Sequence, residues 1–265
     1  MSKPVGTITR GTTAPNRLRR IDRWLIHSEC SRLRATDKPV VVDLGYGALP
    51  ITAWELRERL HQHVDSRIQV VGIEIDPERV AAAQPLADST LSFIRGGFEV
   101  PVAGSVSVIR ALNVLRQYDE SEVVGAWNQM TSRLEPGGLL IDGTCDEIGR
   151  RAVWVALRPD SAGKAVPQSL SISVHLQSLE RPSEVAPRLP KILIHRNIAG
   201  EPVHDFLSRL DHAWERCAGH ATFGARQRWI ETIKYATAQG MPTLDNQARW
   251  RLGELTVPWS LVAPK

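Results

Sequence analysis

The chain has 265 residues, of which 42% are hydrophobic and 23% are charged. This composition supports one large folded core and excludes a disordered or fibrous protein. The longest apolar runs, at residues 39–44 and 137–141, are far shorter than the roughly 20 residues that a membrane-spanning helix needs. The amino-terminal residues contain neither a long apolar stretch nor a small-residue cleavage site, so we expect a cytoplasmic protein.

The cysteines, histidines and charges further narrow the classes of protein that the chain could belong to. Cys30, Cys145 and Cys217 are widely spaced and the eight histidines are dispersed, so we expect neither a disulfide framework nor a metal site. The net charge is +4, with a pI near 9.2, and several basic residues lie between Arg10 and Arg23. Such a basic arm permits an anionic partner, although a solvated helix face is the more common explanation.

In chain order, the first dozen residues are expected to form a mobile arm, and residues 17–33 an amphipathic helix. Five strands are then predicted at residues 40–44, 69–75, 91–94, 105–109 and 139–142. Helices are predicted between them at 51–63, from Asp76 onward, and at about 120–134. This alternation predicts a mostly parallel sheet with helices on both faces.

The remaining elements predict an α+β elaboration of that sheet. Residues 151–157 and 169–176 have the pattern of a β-hairpin, and residues 191–195 that of a short strand. Two helices are predicted at 203–217 and 225–239, and a last strand within 252–262.

The most informative stretch is Val41–Gly47, a buried strand that ends in Asp43, Gly45 and Gly47. Glycines allow close approach of a ligand to the backbone there, although an ordinary tight turn is the alternative. The next strand ends in Glu74, whose carboxylate could accept hydrogen bonds from a ribose diol or could simply be a surface charge. The dinucleotide fingerprint needs a third glycine where this chain has Pro50, and the charge of Asp43 suits a cationic ligand better than a phosphate.

The stretches Val42–Gly47, Val71–Asp76 and Leu134–Gly138 resemble successive motifs of class I S-adenosylmethionine-dependent methyltransferases, over roughly residues 38–145. The resemblance implies an α/β fold with a Rossmann-like, doubly wound, mostly parallel sheet, an N-terminal helical arm and a C-terminal elaboration. We divide this single domain, 1–265, into an arm and helix (1–37), a cofactor-binding core (38–145) and a C-terminal part (146–265) that covers the acceptor site.

The resemblance also implies which residues hold the cofactor. These are Asp43, Gly45, Tyr46 and Gly47 for the methionine part, Glu74 and Ile75 for the ribose, and Gly97 and Phe98 beside the adenine. The family often has an acidic residue after the third strand, and this chain has none in Arg95–Phe98. Adenine would then depend on backbone groups and on Phe98, which could equally be a core residue.

The segment after the fourth strand would lie beside the transferable methyl group. Arg110, Asn113 and Tyr118 are therefore candidates for lining the acceptor pocket, although Arg110 and Tyr118 could be structural. No general base is evident, although Asp142, Asp146 or Glu147 could reach the site; methyl transfer can proceed by alignment alone for some acceptors.

We therefore predict methyl transfer from S-adenosylmethionine to O or N of a small molecule, with S-adenosylhomocysteine as the product. One alternative is an RNA methyltransferase, because tryptophans and arginines alternate in the C-terminal part, although tryptophans at helical spacing are more often core residues. The other alternative is a non-catalytic module that only binds the cofactor.

Overall fold

The computed structural model describes residues 4–8 and 14–265, and within them it contains eight strands and eight α-helices. The strands are β1 Val40–Leu44, β2 Gln69–Glu74, β3 Leu91–Arg95, β4 Val106–Leu112, β5 Leu134–Cys145, β6 Arg151–Pro159, β7 Ala165–Val174 and β8 Glu254–Pro258. The helices are α1 Arg19–Ala35, α2 Ile51–His63, α3 Pro77–Ala83, α4 Glu120–Thr131, α5 Lys191–Ile194, α6 Pro202–Arg216, α7 Ala225–Ala238 and α8 Gln247–Trp250.

All eight strands form one sheet in the order β3-β2-β1-β4-β5-β6-β7-β8. The first five strands in this order are parallel, and β6, β7 and β8 continue the sheet as an antiparallel meander. The order 3-2-1-4-5 is that of a doubly wound Rossmann sheet, so the predicted fold class is confirmed. The chain reverses direction across the sheet between β1 and β4, and the carboxyl ends of these strands meet at that switch point.

Helices cover both faces of the sheet, as parallel strands buried on both sides require. One face packs against α1, α2 and α3, and the rings of Trp24 on α1 and Trp154 on β6 lie edge to face with centroids 5.5 Å apart. The other face packs against α4, α6 and α7. The four residues of β1 after Val40 are buried, and so is every residue of β4.

Local capping fixes where the helices after β2 and β4 begin. The Asp76 carboxylate accepts a hydrogen bond from the Glu78 amide (2.9 Å), and Pro77 occupies the first turn of α3. At α4, the Glu122 carboxylate accepts a hydrogen bond from the Asp119 amide (2.8 Å). These caps hold the two loops that leave the carboxyl edge of the sheet.

Most predicted elements are confirmed, with two corrections. Residues 191–195 were predicted to be a strand, but Lys191–Ile194 forms a helical turn that follows Pro190. Within the predicted mobile arm, the Val5 carbonyl accepts a hydrogen bond from the Phe98 amide (3.0 Å), so residues 4–8 are held against the sheet edge. Residues 1–3 and 9–13 of that arm, including Arg10, lie outside the described residues. Among the described helices, none is long and apolar enough to span a membrane.

Candidate functional site at the switch point

A small cavity of about 20 Å³ opens at the carboxyl ends of β1, β2 and β4. We call it the switch-point cavity; its walls are Val5–Thr7, Leu44, Gly45, Glu74, Ile75, Gly96–Phe98, Val114 and Tyr118. Six of the predicted site residues therefore lie together: Gly45, Glu74, Ile75, Gly97, Phe98 and Tyr118. Glu74 is the only charged residue among these described walls, so the field in the cavity favours a neutral or cationic ligand over a phosphate.

Glu74 is a buried, hydrogen-bonded carboxylate in the cavity wall. Its side chain is 1% exposed, and one carboxylate oxygen accepts a hydrogen bond from the Gly47 amide (3.0 Å). The other oxygen accepts hydrogen bonds from the Ile75 and Asp76 amides (2.9 and 3.4 Å), and the Arg79 guanidinium lies 3.7 Å from the carboxylate. A carboxylate has about four acceptor positions, so these three hydrogen bonds fix its orientation and leave about one position for a hydroxyl group of a ligand.

The turn after β1 needs glycine on two counts. Gly45 and Gly47 have φ angles of +70° and +84°, which side chains with a Cβ disfavour. At Gly45 a Cβ atom would also lie 2.7 Å from Cγ2 of Val114, so a larger residue would fill the space between β1 and β4. Gly47 does not line the cavity, and it acts through its hydrogen bond to Glu74.

Asp43 and Arg110 form a buried ion-pair cluster away from the cavity, which corrects two predictions. Arg110 is wholly buried; its Nη2 lies 2.9 Å from the Asp43 carboxylate, and its Nη1 bonds to Asp22. The Thr52 hydroxyl donates a hydrogen bond to the other Asp43 oxygen (2.7 Å). The charge of Asp43 is therefore neutralised within the fold and does not attract a ligand, and Arg110 does not line an acceptor pocket.

Tyr46 and Asn113 also have structural contacts. The Tyr46 side chain is 3% exposed and its ring packs edge to face on Phe93, so only its backbone belongs to the turn after β1. Asn113 has a φ of +62°, and its side-chain oxygen accepts a hydrogen bond from the Cys145 amide (3.0 Å), which ties the ends of β4 and β5 together. Burial raises the pKa of Cys145, so this residue stays a thiol rather than a nucleophilic thiolate.

The strap, which we define as residues 4–8, closes the cavity from the solvent side. The Tyr118 hydroxyl accepts a hydrogen bond from the Thr7 amide (2.6 Å), and the Gln117 side chain donates one to the Thr7 carbonyl (3.0 Å). A Cβ atom on Gly97 would lie 1.9 Å from the Val5 carbonyl oxygen, so the strap can pack against this position only because residue 97 is a glycine. Nothing in the sequence pattern predicted this contact, because it joins segments about 90 residues apart in the chain.

Phe98 belongs both to the core and to the cavity wall. Its side chain is 6% exposed and packs in the core of one sheet face, while its ring lies 5.1 Å from the Tyr118 ring. The two alternatives for Phe98 are therefore compatible, since its side chain both packs in the core and lines the cavity.

Three acidic residues lie on or just after β5, and none of them lines the cavity; Glu147 is exposed. Asp142 is buried and accepts a hydrogen bond from the Trp127 indole (2.9 Å). Burial raises the pKa of Asp142 to about 7. The Asp146 carboxylate accepts hydrogen bonds from the Arg150 and Arg151 amides (2.8 and 3.0 Å), as a turn cap does. Within residues 4–8 and 14–265, no three His, Cys, Asp or Glu side chains could hold a metal ion.

Two of the C-terminal tryptophans that suggested RNA binding are structural. Trp229 is 0% exposed and Trp214 is 3% exposed, and their rings pack edge to face with centroids 6.4 Å apart. The Arg228 guanidinium lies 3.8 Å from the Trp214 ring centroid, so the cation stacks on this aromatic ring within the protein.

No family model and no curated protein matches the chain. Solved structures that resemble it include LepI in complex with S-adenosylmethionine (16% identity, 45% of this chain and 30% of that one, TM-score 0.38). A second is magnesium protoporphyrin IX methyltransferase from Synechocystis PCC 6803 (18% identity, 49% of this chain and 55% of that one, TM-score 0.35). A third is an S-adenosylmethionine-dependent methyltransferase from Clostridium acetobutylicum ATCC 824 (10% identity, 58% of this chain and 65% of that one, TM-score 0.37). The chain spans less than two thirds of each of these structures. Similarity at this level assigns no family, and the function is inferred from the chain's own site.

Proposed function

We propose that this protein is an S-adenosylmethionine-dependent methyltransferase that acts on O or N of a small molecule. The observation that carries the proposal is the position of Glu74. Its buried carboxylate lies at the end of β2, beside the Cβ-free backbone of Gly45, on the wall of the switch-point cavity. In doubly wound folds an acidic residue at this position binds the ribose hydroxyls of a nucleoside cofactor.

The rest of the cavity supports a nucleoside without a pyrophosphate. The walls contain the apolar side chains of Leu44, Ile75, Phe98 and Val114, which suit an adenine ring, and Glu74 disfavours a phosphate. Bound S-adenosylmethionine would supply an electrophilic methyl group on a sulfonium. The residues of this chain would hold the nucleoside in line and exclude water.

In this proposal, methyl transfer depends on alignment of the acceptor atom with the methyl group rather than on a general base. Apart from Glu74, Tyr118 is the only ionisable side chain on the described walls of the cavity, and its hydroxyl already accepts the Thr7 amide hydrogen. The C-terminal part approaches the same edge, since the Arg116 guanidinium donates to the Pro187 carbonyl (3.0 Å) and the Thr144 hydroxyl donates to that of Arg188. We therefore propose that residues 182–190 cover the acceptor.

The cavity must widen before a cofactor can enter. A volume of about 20 Å³ holds about one water molecule and lies far below the roughly 300–1,000 Å³ of typical ligand sites. The strap is attached by a few hydrogen bonds, whereas the other walls belong to the sheet and its loops. We infer that the strap moves outward to admit the cofactor and then closes over it.

Isothermal calorimetry with S-adenosylmethionine and S-adenosylhomocysteine tests the proposal. We expect binding by the native protein, binding at least tenfold weaker in Glu74→Gln, and unchanged binding in Glu78→Gln. Glu78 is a matched control because it is exposed on the neighbouring helix α3. Circular dichroism establishes that each variant is folded. Absence of binding by the folded native protein would refute the proposal.

A further inference from the structure

A second concave site lies at the same edge of the sheet, near the carboxyl end of β7 and the amino end of β8. We call it the basic pocket; its walls carry five arginines, Arg19, Arg20, Arg23, Arg226 and Arg251, and one acidic residue, Glu254. Its volume is about 300 Å³, and it shares no wall residue with the switch-point cavity. Three strand spacings separate β4 from β7, about 14 Å at ~4.8 Å each, so the two sites are distinct.

The positive charge of this pocket is not balanced within the described chain. Glu254 is buried and pairs with Arg249, which leaves it little capacity to neutralise the five arginines of the wall. Among the residues that the structure describes, no side-chain hydrogen bond or ion pair engages Arg19, Arg23, Arg226 or Arg251. Four guanidinium groups, each with five hydrogen-bond donors, therefore line one concavity and have no side-chain partner among the described residues.

Arg20 gives the pocket a fixed base. Its Nη1 donates hydrogen bonds to the Ser173 hydroxyl (3.2 Å) and the Leu252 carbonyl (3.0 Å), so the guanidinium is anchored to both β7 and the turn before β8. Burial lowers the pKa of Arg20, as expected for a cation held among other cations without a full counter-charge. An anion in the pocket would relieve this penalty.

The amino termini of α1 and α7 add to the positive electrostatic potential of the basic pocket. Arg19 and Arg20 lie in the first turn of α1, and Arg226 lies in the first turn of α7. Helix amino termini carry partial positive charge, so they disfavour cations and stabilise anions. Arginines at two such termini lower the stability of the free protein by electrostatic repulsion, and an anion bound between them would offset this repulsion.

We propose that the basic pocket binds a phosphate or pyrophosphate group of a small molecule. Arginine matches phosphate oxygens with paired donors, and several arginines around a concavity suit a compact, multiply charged anion. An extended single-stranded nucleic acid would also need aromatic rings on which its bases could stack. The described walls of the pocket carry no Phe, Tyr or Trp, and His175 is the only ring that lines it.

Calorimetric titration with sodium pyrophosphate at about 50 mM salt tests this site directly, because low salt preserves charge interactions. We expect saturable binding by the native protein and at least tenfold weaker binding in the double variant Arg23→Gln/Arg251→Gln. Both arginines are exposed and without described partners, so the variant should fold. The double variant Arg216→Gln/Lys38→Gln removes the same net charge from exposed positions elsewhere, and we expect it to bind like the native protein.

Three results would overturn the proposal. The first is a failure of the folded native protein to bind pyrophosphate. The second is an equal loss of binding in the control variant, which would indicate only a diffuse net-charge effect. The third is a single-stranded RNA of about 12 nucleotides that binds at least tenfold more tightly than pyrophosphate and loses affinity in the Arg23/Arg251 variant, which would indicate a nucleic-acid surface. The titration contains no S-adenosylmethionine, so its outcome is independent of the proposed methyl transfer.

Discussion

Replacing Asp142 with Asn should stabilise the protein, and increasingly so as the pH rises. Asp142 is 2% exposed on β5 and has one described hydrogen-bond partner, the Trp127 indole. Burial raises its pKa to about 7 from an ordinary value of 3.8. The folded state therefore holds this proton more tightly than the unfolded state does, and the stability contributed by the protonated form falls as the pH rises from about 4 to 7.

The size of the effect follows from the pKa difference. At ~1.4 kcal/mol per pKa unit, native Asp142 costs about 2 kcal/mol at pH 5 and about 4 kcal/mol at pH 8. Asn keeps the shape of the protonated carboxyl group and an oxygen for Trp127, and it carries no charge at either pH. Asp142→Asn should therefore gain about 2 kcal/mol more at pH 8 than at pH 5.

Urea denaturation at pH 5, 6, 7 and 8 measures this difference. The control is Asp37→Asn, since Asp37 is exposed and the same chemical change there should leave stability nearly constant. If Asp142→Asn were no more stable than the native protein at pH 8, or if its gain were the same at every pH, the burial argument would be refuted.

Three further changes test other parts of the structure. Gly45→Ala places a residue with a Cβ atom at a positive φ angle, and that atom would lie 2.7 Å from a Val114 methyl carbon. Urea denaturation should therefore show a free energy of unfolding lower by about 1–3 kcal/mol, and calorimetry should show a loss of cofactor binding. Arg110→Met leaves the buried Asp43 without a cation and Asp22 with Arg59 alone, so thermal denaturation should show a loss of about 3–5 kcal/mol. A near-native melting temperature would contradict the assigned ion pairs. Deleting residues 1–8 removes the strap, so stopped-flow fluorescence should show faster cofactor association than in a protein lacking only residues 1–3. Equal rates would mean that the strap does not gate the cavity.

The sequence predicted the part of the site that is local. Hydrophobic runs located β1 and β2, and the residues at their carboxyl ends, Gly45 and Glu74, lie on one cavity because neighbouring parallel strands bring their ends together. The prediction at residues 191–195 was wrong because a short apolar run such as Ile192–Ile194 is compatible with either a strand or a helix, and Pro190 favoured a helical start.

Contacts between distant segments could not be predicted. Asp43 looked like an available charge, but its partner Arg110 lies 67 residues away in the chain, and only the folded sheet brings them together. The strap likewise gains its position from Phe98 and Tyr118 rather than from any pattern of its own. The basic pocket combines residues from α1, α7 and the turn before β8, so no sequence window contains its charge.

The most direct test of the central claim is a crystal structure of the protein with S-adenosylhomocysteine. We predict that the ribose hydroxyls lie within hydrogen-bond distance of the Glu74 carboxylate, with the adenine beside Phe98 and the strap closed over the nucleoside. A nucleoside bound elsewhere, or one whose ribose does not contact Glu74, would contradict the proposed cofactor site.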